Sequence, residues 1–447
     1  MKKVDVIIRY EHKVRELESI MLLKLEMERR GYTVAFIANY DYKSKEKYNP
    51  RLIISPAIYK DSQLCIDIAR FGLKKKIVNL LWEQLMGIEE EGSPTGAHNV
   101  IGTGQKAVTF CWGENTRRRL VAAGMPLSNA KVVGQINTDL LREPFRKILA
   151  TKEQLAERFK IDVGSRWFLF VSSFAYCELD IIQKEIIRRE NGEKYLEEFT
   201  NISIESRNEI LKWLEKALVQ YPKDVIIYRP HPDEMAKSEE LRSLSSKYDN
   251  FYVIADLSLK QWCNAADKVY NWYSTGMIDA LVLNKPCRIL RPFHIPRTYD
   301  YRIFYTASHI KTIQDFIDDY ESLDTTEGVD MNLVHDYYYI PKRYVYLEIC
   351  DLLEEMLNTD KYDIHYTAEE KNRFRKVYYR AKLQRKLEFC KPLLRKLGLF
   401  KDTFAKSDVT HKALDDGFAK NVATEEEIQE IYNRLKPIVY EQSNCVD

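Results

Sequence analysis

Short apolar runs alternate with longer amphipathic stretches along most of this chain. Residues 4–8 are an apolar run of strand length, and residues 15–30 follow with Leu17, Ile20, Met21 and Leu25 at helical spacing on one face. Gly31 ends that helix, and residues 33–38 predict the next strand. Apolar runs at 52–55, 77–81 and 107–112, separated by helical or polar pieces, continue the alternation, and 131–134 reads as the last strand of this half. Strand and helix alternating at this spacing imply a parallel, doubly wound sheet.

Beyond a linker at Arg142-Glu-Pro-Phe145 the pattern restarts. Residues 167–171 form a strong strand that ends in Ser172-Ser173, and a long charged stretch follows, helical over 204–219. Strands are expected at 225–228, 251–254, 268–271 and 287–290, with a helix opening at Ser274 and another over 343–357. The expected organisation is an N-terminal Rossmann-like domain over 1–145, a second over 146–340, a crossover helix in 341–370, and a basic helical extension with a polar tail over 371–447.

Composition narrows the class. A chain of 447 residues exceeds one ordinary core, and 45% hydrophobic with 12% aromatic residues specifies a folded protein. A formal net charge of +2 gives no global push toward nucleic acid, so none is expected as a partner. The eight cysteines lie singly, without Cys-x-x-Cys or zinc spacing, which predicts reduced thiols, no structural metal and a cytoplasmic location. No run has the length of a signal peptide's apolar core or of a membrane span.

The chemistry concentrates in two loops. Val225-Ile-Ile-Tyr-Arg-Pro-His-Pro-Asp-Glu234 runs a strand into His231, and residues 266–286 run a strand through Asn271-Trp-Tyr273 into Ser274-Thr275-Gly276. Open α/β sheets take ligands at the carboxyl ends of their strands, and helix starts with free N–H groups and small hydroxyls attract anions. A strand-end histidine beside such a start is suited to a nucleotide's phosphates. Arg229 and Pro232 flank His231, Asp279 sits one turn into the expected helix as a cap or ribose contact, and Ser172 and Ser173 end the neighbouring strand.

These residues resemble the donor-binding half of GT-B glycosyltransferases that use cytidine nucleotides: polysialyltransferases, Kdo transferases and teichoic-acid polyol-phosphate polymerases. The matches are His231-Pro232, Ser274-Thr275, where that family has Ser-Ser or Ser-Thr, and Lys285-Pro286. Glu89-Glu90-Glu91-Gly92 is similar to the acidic-acidic-Gly motif of polysialyltransferases, which puts Glu90 in the position of the general base, with Glu91 in reserve. Tyr10-Glu-His-Lys-Val-Arg-Glu-Leu17, and Val108-Thr-Phe-Cys-Trp-Gly-Glu114 running to Val133-Gly134 and Asp139, resemble surface carbohydrate biosynthesis proteins. The resemblance spans roughly residues 1–290. It implies two Rossmann-like domains facing a cleft, and inverting transfer of a CMP-activated acidic sugar, such as Kdo or a sialic-acid relative, to a glycan or lipid-linked glycan. His231, Ser274, Thr275 and Gly276 would grip the donor phosphate. Glu11 and Glu83, at strand ends of the first half, are further acidic candidates.

No Asp-x-Asp lies between the motifs, so no metal and no cofactor beyond the nucleotide donor is expected. The rival readings are a CDP-glycerol or CDP-ribitol polyol-phosphate transferase and a non-catalytic GT-B scaffold; a nucleotide-sugar 2-epimerase would need catalytic carboxylates that the pattern does not locate. Residues 371–401 set about a dozen Lys and Arg against Glu388, interleaved with Phe374, Tyr378, Tyr379, Leu383 and Leu387. That composition suits either an anionic membrane surface on the inner face or a helix docked on the protein body.

Overall fold

β1 (Lys2–Tyr10) carries Val6, Ile7 and Ile8 with no exposed surface, the near-continuous apolar run of a strand covered on both faces. The computed structural model describes residues 2–39, 41, 48–231, 234, 239–322, 329–396, 418 and 420–443; Pro232 and residues 397–417 of the expected extension and tail lie outside the described residues. α1 (Lys13–Arg29) follows, and the buried Glu16 in its first turn accepts the N–H groups of Glu11 at 2.8 Å and His12 at 3.2 Å. The His12 N–H is one of the donors that a helix start leaves without partners. β2 (Val34–Ala38), β3 (Tyr48–Ser55), α2 (Asp61–Phe71), β4 (Lys76–Asn79), β5 (Val108–Cys111), α3 (Glu114–Ala122) and β6 (Ala130–Val132) complete the half. The six strands are all parallel, in the order β2-β1-β3-β4-β5-β6.

The second half runs through α4 (Lys152–Phe159), β7 (Trp167–Val171), α5 (Ile181–Asn191), α6 (Glu193–Gln220), β8 (Val225–Arg229), α7 (Glu239–Lys247), β9 (Phe251–Val253) and α8 (Leu259–Ala265). It continues with β10 (Lys268–Asn271), α9 (Met277–Val282), β11 (Cys287–Leu290), β12 (His309–Ile310), α10 (Ile313–Glu321) and α11 (Met331–Tyr337). Its sheet is also fully parallel, in the order β12-β11-β10-β7-β8-β9. Read from its first strand, this is the 3-2-1-4-5-6 order of a doubly wound nucleotide-binding sheet, with the switch of direction between β7 and β10. Its core is aromatic: Phe168, Phe170, Phe174, Phe199, Trp213, Tyr228, Tyr270 and Trp272 are buried together.

The chain divides into two compact units, residues 1–86, 90–139 and 335–447 in one, and 87–89 with 140–334 in the other. α12 (Val345–Asn358) packs on α1. The buried carboxylate of Asp139 accepts the N–H groups of Val345 at 3.0 Å and Tyr346 at 2.7 Å, which closes the start of that helix. α13 (Ala368–Lys396) packs on α2, where Phe374 joins Leu64, Ile68 and Phe71 in the core and Arg373 pairs with Asp61 at 2.6 Å. Docking therefore accounts for one face of the basic segment. α14 (Glu425–Ser443) packs on α1 through Leu435 and Val439, with Lys13 paired to Glu427 at 2.6 Å. Among the described residues no helix is long and apolar enough to cross a membrane.

Candidate functional site

In the second unit the carboxyl ends of β7, β8 and β10 deliver Ser172-Ser173, His231 and Ser274-Thr275-Gly276 to neighbouring positions, because β7 lies between β8 and β10. This is the strand-order switch point, where the crevice of an open α/β sheet opens. Ser173, His231, Ser274 and Gly276 are partly exposed and Thr275 is exposed. The structure starts the helix at Met277, not at Ser274: residues 274–276 form a turn ahead of the short α9. The Ser274 hydroxyl accepts the Gly276 N–H at 3.2 Å, and the buried Asn271 side chain holds the Ser274 backbone.

Two residues expected to touch the donor are otherwise occupied. The Ser172 hydroxyl is buried; it contacts the Glu234 carboxyl, lies 3.0 Å from the Tyr228 hydroxyl and accepts the Phe174 N–H at 3.3 Å. The Arg229 guanidinium donates to the carbonyls of Ile254 at 3.2 Å, Asp256 at 2.7 Å and Leu257. Burial lowers its pKa to about 10. Both residues therefore brace the loops that border the site. Asp279 lies in the first turn of α9, and burial pushes its carboxyl up to about 6, with Lys260 pulling the other way.

Three supporting residues escaped the sequence reading. Glu234 is 1% exposed and joins Ser172, Tyr228 and the His231 backbone. Arg291, just past β11, donates to the Trp272 carbonyl and pairs with Asp300 at 3.0 Å, both side chains being buried. The Asp300 carboxylate also accepts the Tyr305 hydroxyl at 2.9 Å. Arg291 thus fixes the carbonyl that leads into the 274–276 turn. Nothing in its sequence neighbourhood distinguishes it from a solvated arginine; only the apolar run of β11 ahead of it hints at burial.

In the first unit, Glu90 and Glu91 lie in a turn beyond β4. Glu91 accepts the Tyr337 hydroxyl, whereas the Glu90 carboxylate, partly exposed, has no hydrogen bond or ion pair among the described residues. Glu89 accepts the Thr298 hydroxyl. Glu83 is exposed and pairs with Arg15 at 3.3 Å, while His98 Nε2 lies 3.8 Å from it. His98 Nδ1 donates to the Leu85 carbonyl, which turns Nε2 toward that carboxylate. Glu11 is partly buried. The structure thus gathers Ser173, His231 and 274–276 in one unit and places Glu90, Glu91, Glu83 and Glu11 in the other. No group of three His, Cys, Asp or Glu among the described residues could hold a metal ion.

No protein-family model and no curated protein sequence matches this chain. Solved structures do resemble it. A Listeria monocytogenes protein assigned as a UDP-N-acetylglucosamine 2-epimerase superposes with a TM-score of 0.51 at 13% identity, covering 80% of this chain and 97% of that one. A variant of the wall teichoic acid polymerase TagF superposes with a TM-score of 0.51 at 10% identity, covering 79% of this chain and 89% of that one. At such identities the likeness is one of fold: two doubly wound units of the GT-B kind, with C-terminal helices added.

Proposed function

We propose that this protein is an inverting, metal-independent glycosyltransferase of bacterial surface-polysaccharide synthesis that takes a CMP-activated acidic sugar, with Kdo or a sialic-acid relative as the donor class. The observation that carries the reading is the convergence of Ser173, His231 and the 274–276 turn at the switch point of the second sheet. His231 steadies the leaving phosphate as it gains charge, and the Ser274 and Thr275 hydroxyls hold it. Glu90 is the base for the acceptor hydroxyl of a glycan or lipid-linked glycan at the inner membrane face.

A second reading is transfer of a polyol phosphate from CDP-glycerol or CDP-ribitol, favoured by the fold likeness to a wall teichoic acid polymerase. A thermal-shift panel of CMP, CDP, UDP and GDP tests the cytidine donor that both readings share, since a bound nucleotide stabilises the fold by mass action, and turnover of a CMP-sugar against CDP-glycerol separates the two. Cytidine nucleotides should raise Tm in the wild type and much less in His231→Ala. A shift by UDP alone, or shifts unchanged in His231→Ala, would remove the cytidine-donor assignment. Stabilisation without turnover on any donor would leave a scaffold. Transfer should persist in EDTA, because histidine and hydroxyl groups hold the phosphate.

A further inference from the structure

Beneath the His231 loop lies a buried triangle of oxygens. Ser172 Oγ contacts one oxygen of Glu234, the Tyr228 hydroxyl contacts the other, and Tyr228 and Ser172 lie 3.0 Å apart. Glu234 is 1%, Tyr228 0% and Ser172 2% exposed, so water does not complete the set. From outside the triangle the His231 N–H donates to Glu234 at 3.1 Å, the Phe174 N–H donates to Ser172 at 3.3 Å, and the Glu234 N–H donates to the His231 carbonyl at 2.9 Å.

Three contacts within the triangle need three protons. The two hydroxyls supply two. With an ionised carboxylate, one pair of oxygens would face each other without a hydrogen between them in a dry site, which is costly. With a carboxylic acid the ring closes: Glu234 O–H donates to Tyr228, Tyr228 O–H to Ser172, and Ser172 O–H to the second Glu234 oxygen.

The charged and titratable neighbours agree. Arg207 on α6, a cation that acts on Glu234, is directed at Glu178, at 3.0 Å, and Glu240 of α7, at 3.7 Å. Cys177, which also faces this group, has its thiol pushed up to about 12 by burial and carries no charge. Burial likewise raises the carboxyl of Glu234 above its usual range, against the hydrogen bonds from Ser172, Tyr228 and the His231 N–H.

We infer that Glu234 is a positioning residue held as the neutral acid, whose closed ring with Ser172 and Tyr228 fixes the His231 loop without placing a negative charge under an anion site. The functional half of this inference rests on the donor-site reading above. The ring itself does not.

The test uses the full chain, with Glu234→Gln and Glu234→Ala, and CDP as the probe. The infrared difference between wild type and Glu234→Gln at neutral pH should contain the C=O stretch of a protonated carboxylic acid. By calorimetry, Glu234→Gln should keep CDP affinity within about twofold, while Glu234→Ala should lose about tenfold or more. Wild-type affinity should fall on the alkaline side as the proton leaves, and that of Glu234→Gln should stay flat. Absence of the carboxylic-acid band overturns the inference, as does a Glu234→Gln variant as weak as Glu234→Ala, or a Glu234→Ala variant as tight as wild type. If the wild type binds no nucleotide, the donor-site reading fails, and the infrared arm still decides the ring without needing the alanine variant to fold.

Discussion

Asn271 holds the backbone of Ser274 from both sides: its Oδ1 accepts the Ser274 N–H at 2.7 Å and its Nδ2 donates to the Ser274 carbonyl at 2.7 Å. The side chain is fully buried, so neither bond has water as a substitute. Asn271→Asp keeps the shape and the acceptor but sets a carboxylate oxygen against the Ser274 carbonyl. We expect a loss of about 1–3 kcal/mol in urea denaturation, together with weaker nucleotide stabilisation. A variant as stable as wild type would show that the turn does not depend on this clamp.

Periodicity located most strands, and the residues explain where it stopped. The runs at 167–171, 268–271 and 287–290 coincide with β7, β10 and β11, whose residues are all buried. The two-residue β12 carries no periodic signal and was missed. The helix expected from Ser274 begins at Met277, since the Asn271 clamp makes residues 274–276 a turn. His231 and Ser274 were legible as strand-end polar residues. The buried partners Glu234, Arg291 and Asp300 were not, because a charged residue looks solvated until its partner is known. The unusual Asn271-Trp-Tyr273 proved structural: Trp272 is in the aromatic core, and the Tyr273 hydroxyl bonds the Tyr299 carbonyl.

Asp279 gives the fold a pH signature. Burial raises its carboxyl from 3.8 to about 6, so the folded protein binds this proton more tightly than the unfolded chain does. The stabilisation is complete below about pH 4 and is lost as pH rises through about 6. Asp279→Asn lacks this dependence. Its stability relative to wild type should therefore rise between pH 4 and pH 7, by at most about 3 kcal/mol. Urea denaturation of both proteins across that range measures it; parallel curves would mean the carboxyl is solvated.

α13 presents a second face. Phe374 is buried against α2, while Tyr379 and Leu383, four residues apart on another side of the helix, are 62% and 57% exposed. Exposed Lys376, Arg380 and Lys382 flank them. An apolar pair among cations suits an anionic lipid surface, at about 1 kcal/mol per cation. Truncation at Lys371 would strip Phe374 from the core, so Tyr379→Glu with Leu383→Glu is the cleaner variant. The wild type should sediment with phosphatidylglycerol vesicles at low salt, less at high salt, and the variant should remain in the supernatant. Wild type that stays unbound at low salt would leave only the docked role.

Glu90 and Glu91 are neighbours in one turn, but their surroundings differ. Glu91 is committed to the Tyr337 hydroxyl, whereas the Glu90 carboxylate has no hydrogen bond or ion pair among the described residues and reaches solvent. A general base must be able to approach the acceptor hydroxyl, and a carboxylate already engaged by a neighbour must first give up that bond. On the proposed reading of inverting transfer Glu90 is the base, a role that contributes about 10²–10⁴ in rate. Glu90→Gln should lose transfer by that order while keeping nucleotide affinity, since the donor groups lie on other strands. Glu91→Gln should be milder in transfer and should lower thermal stability slightly, because an amide accepts the Tyr337 proton less strongly than a carboxylate. Assays of transfer and nucleotide binding on both variants separate the roles. Wild-type transfer by Glu90→Gln would move the base elsewhere, first to Glu83, where His98 and Arg15 already assemble a polar group.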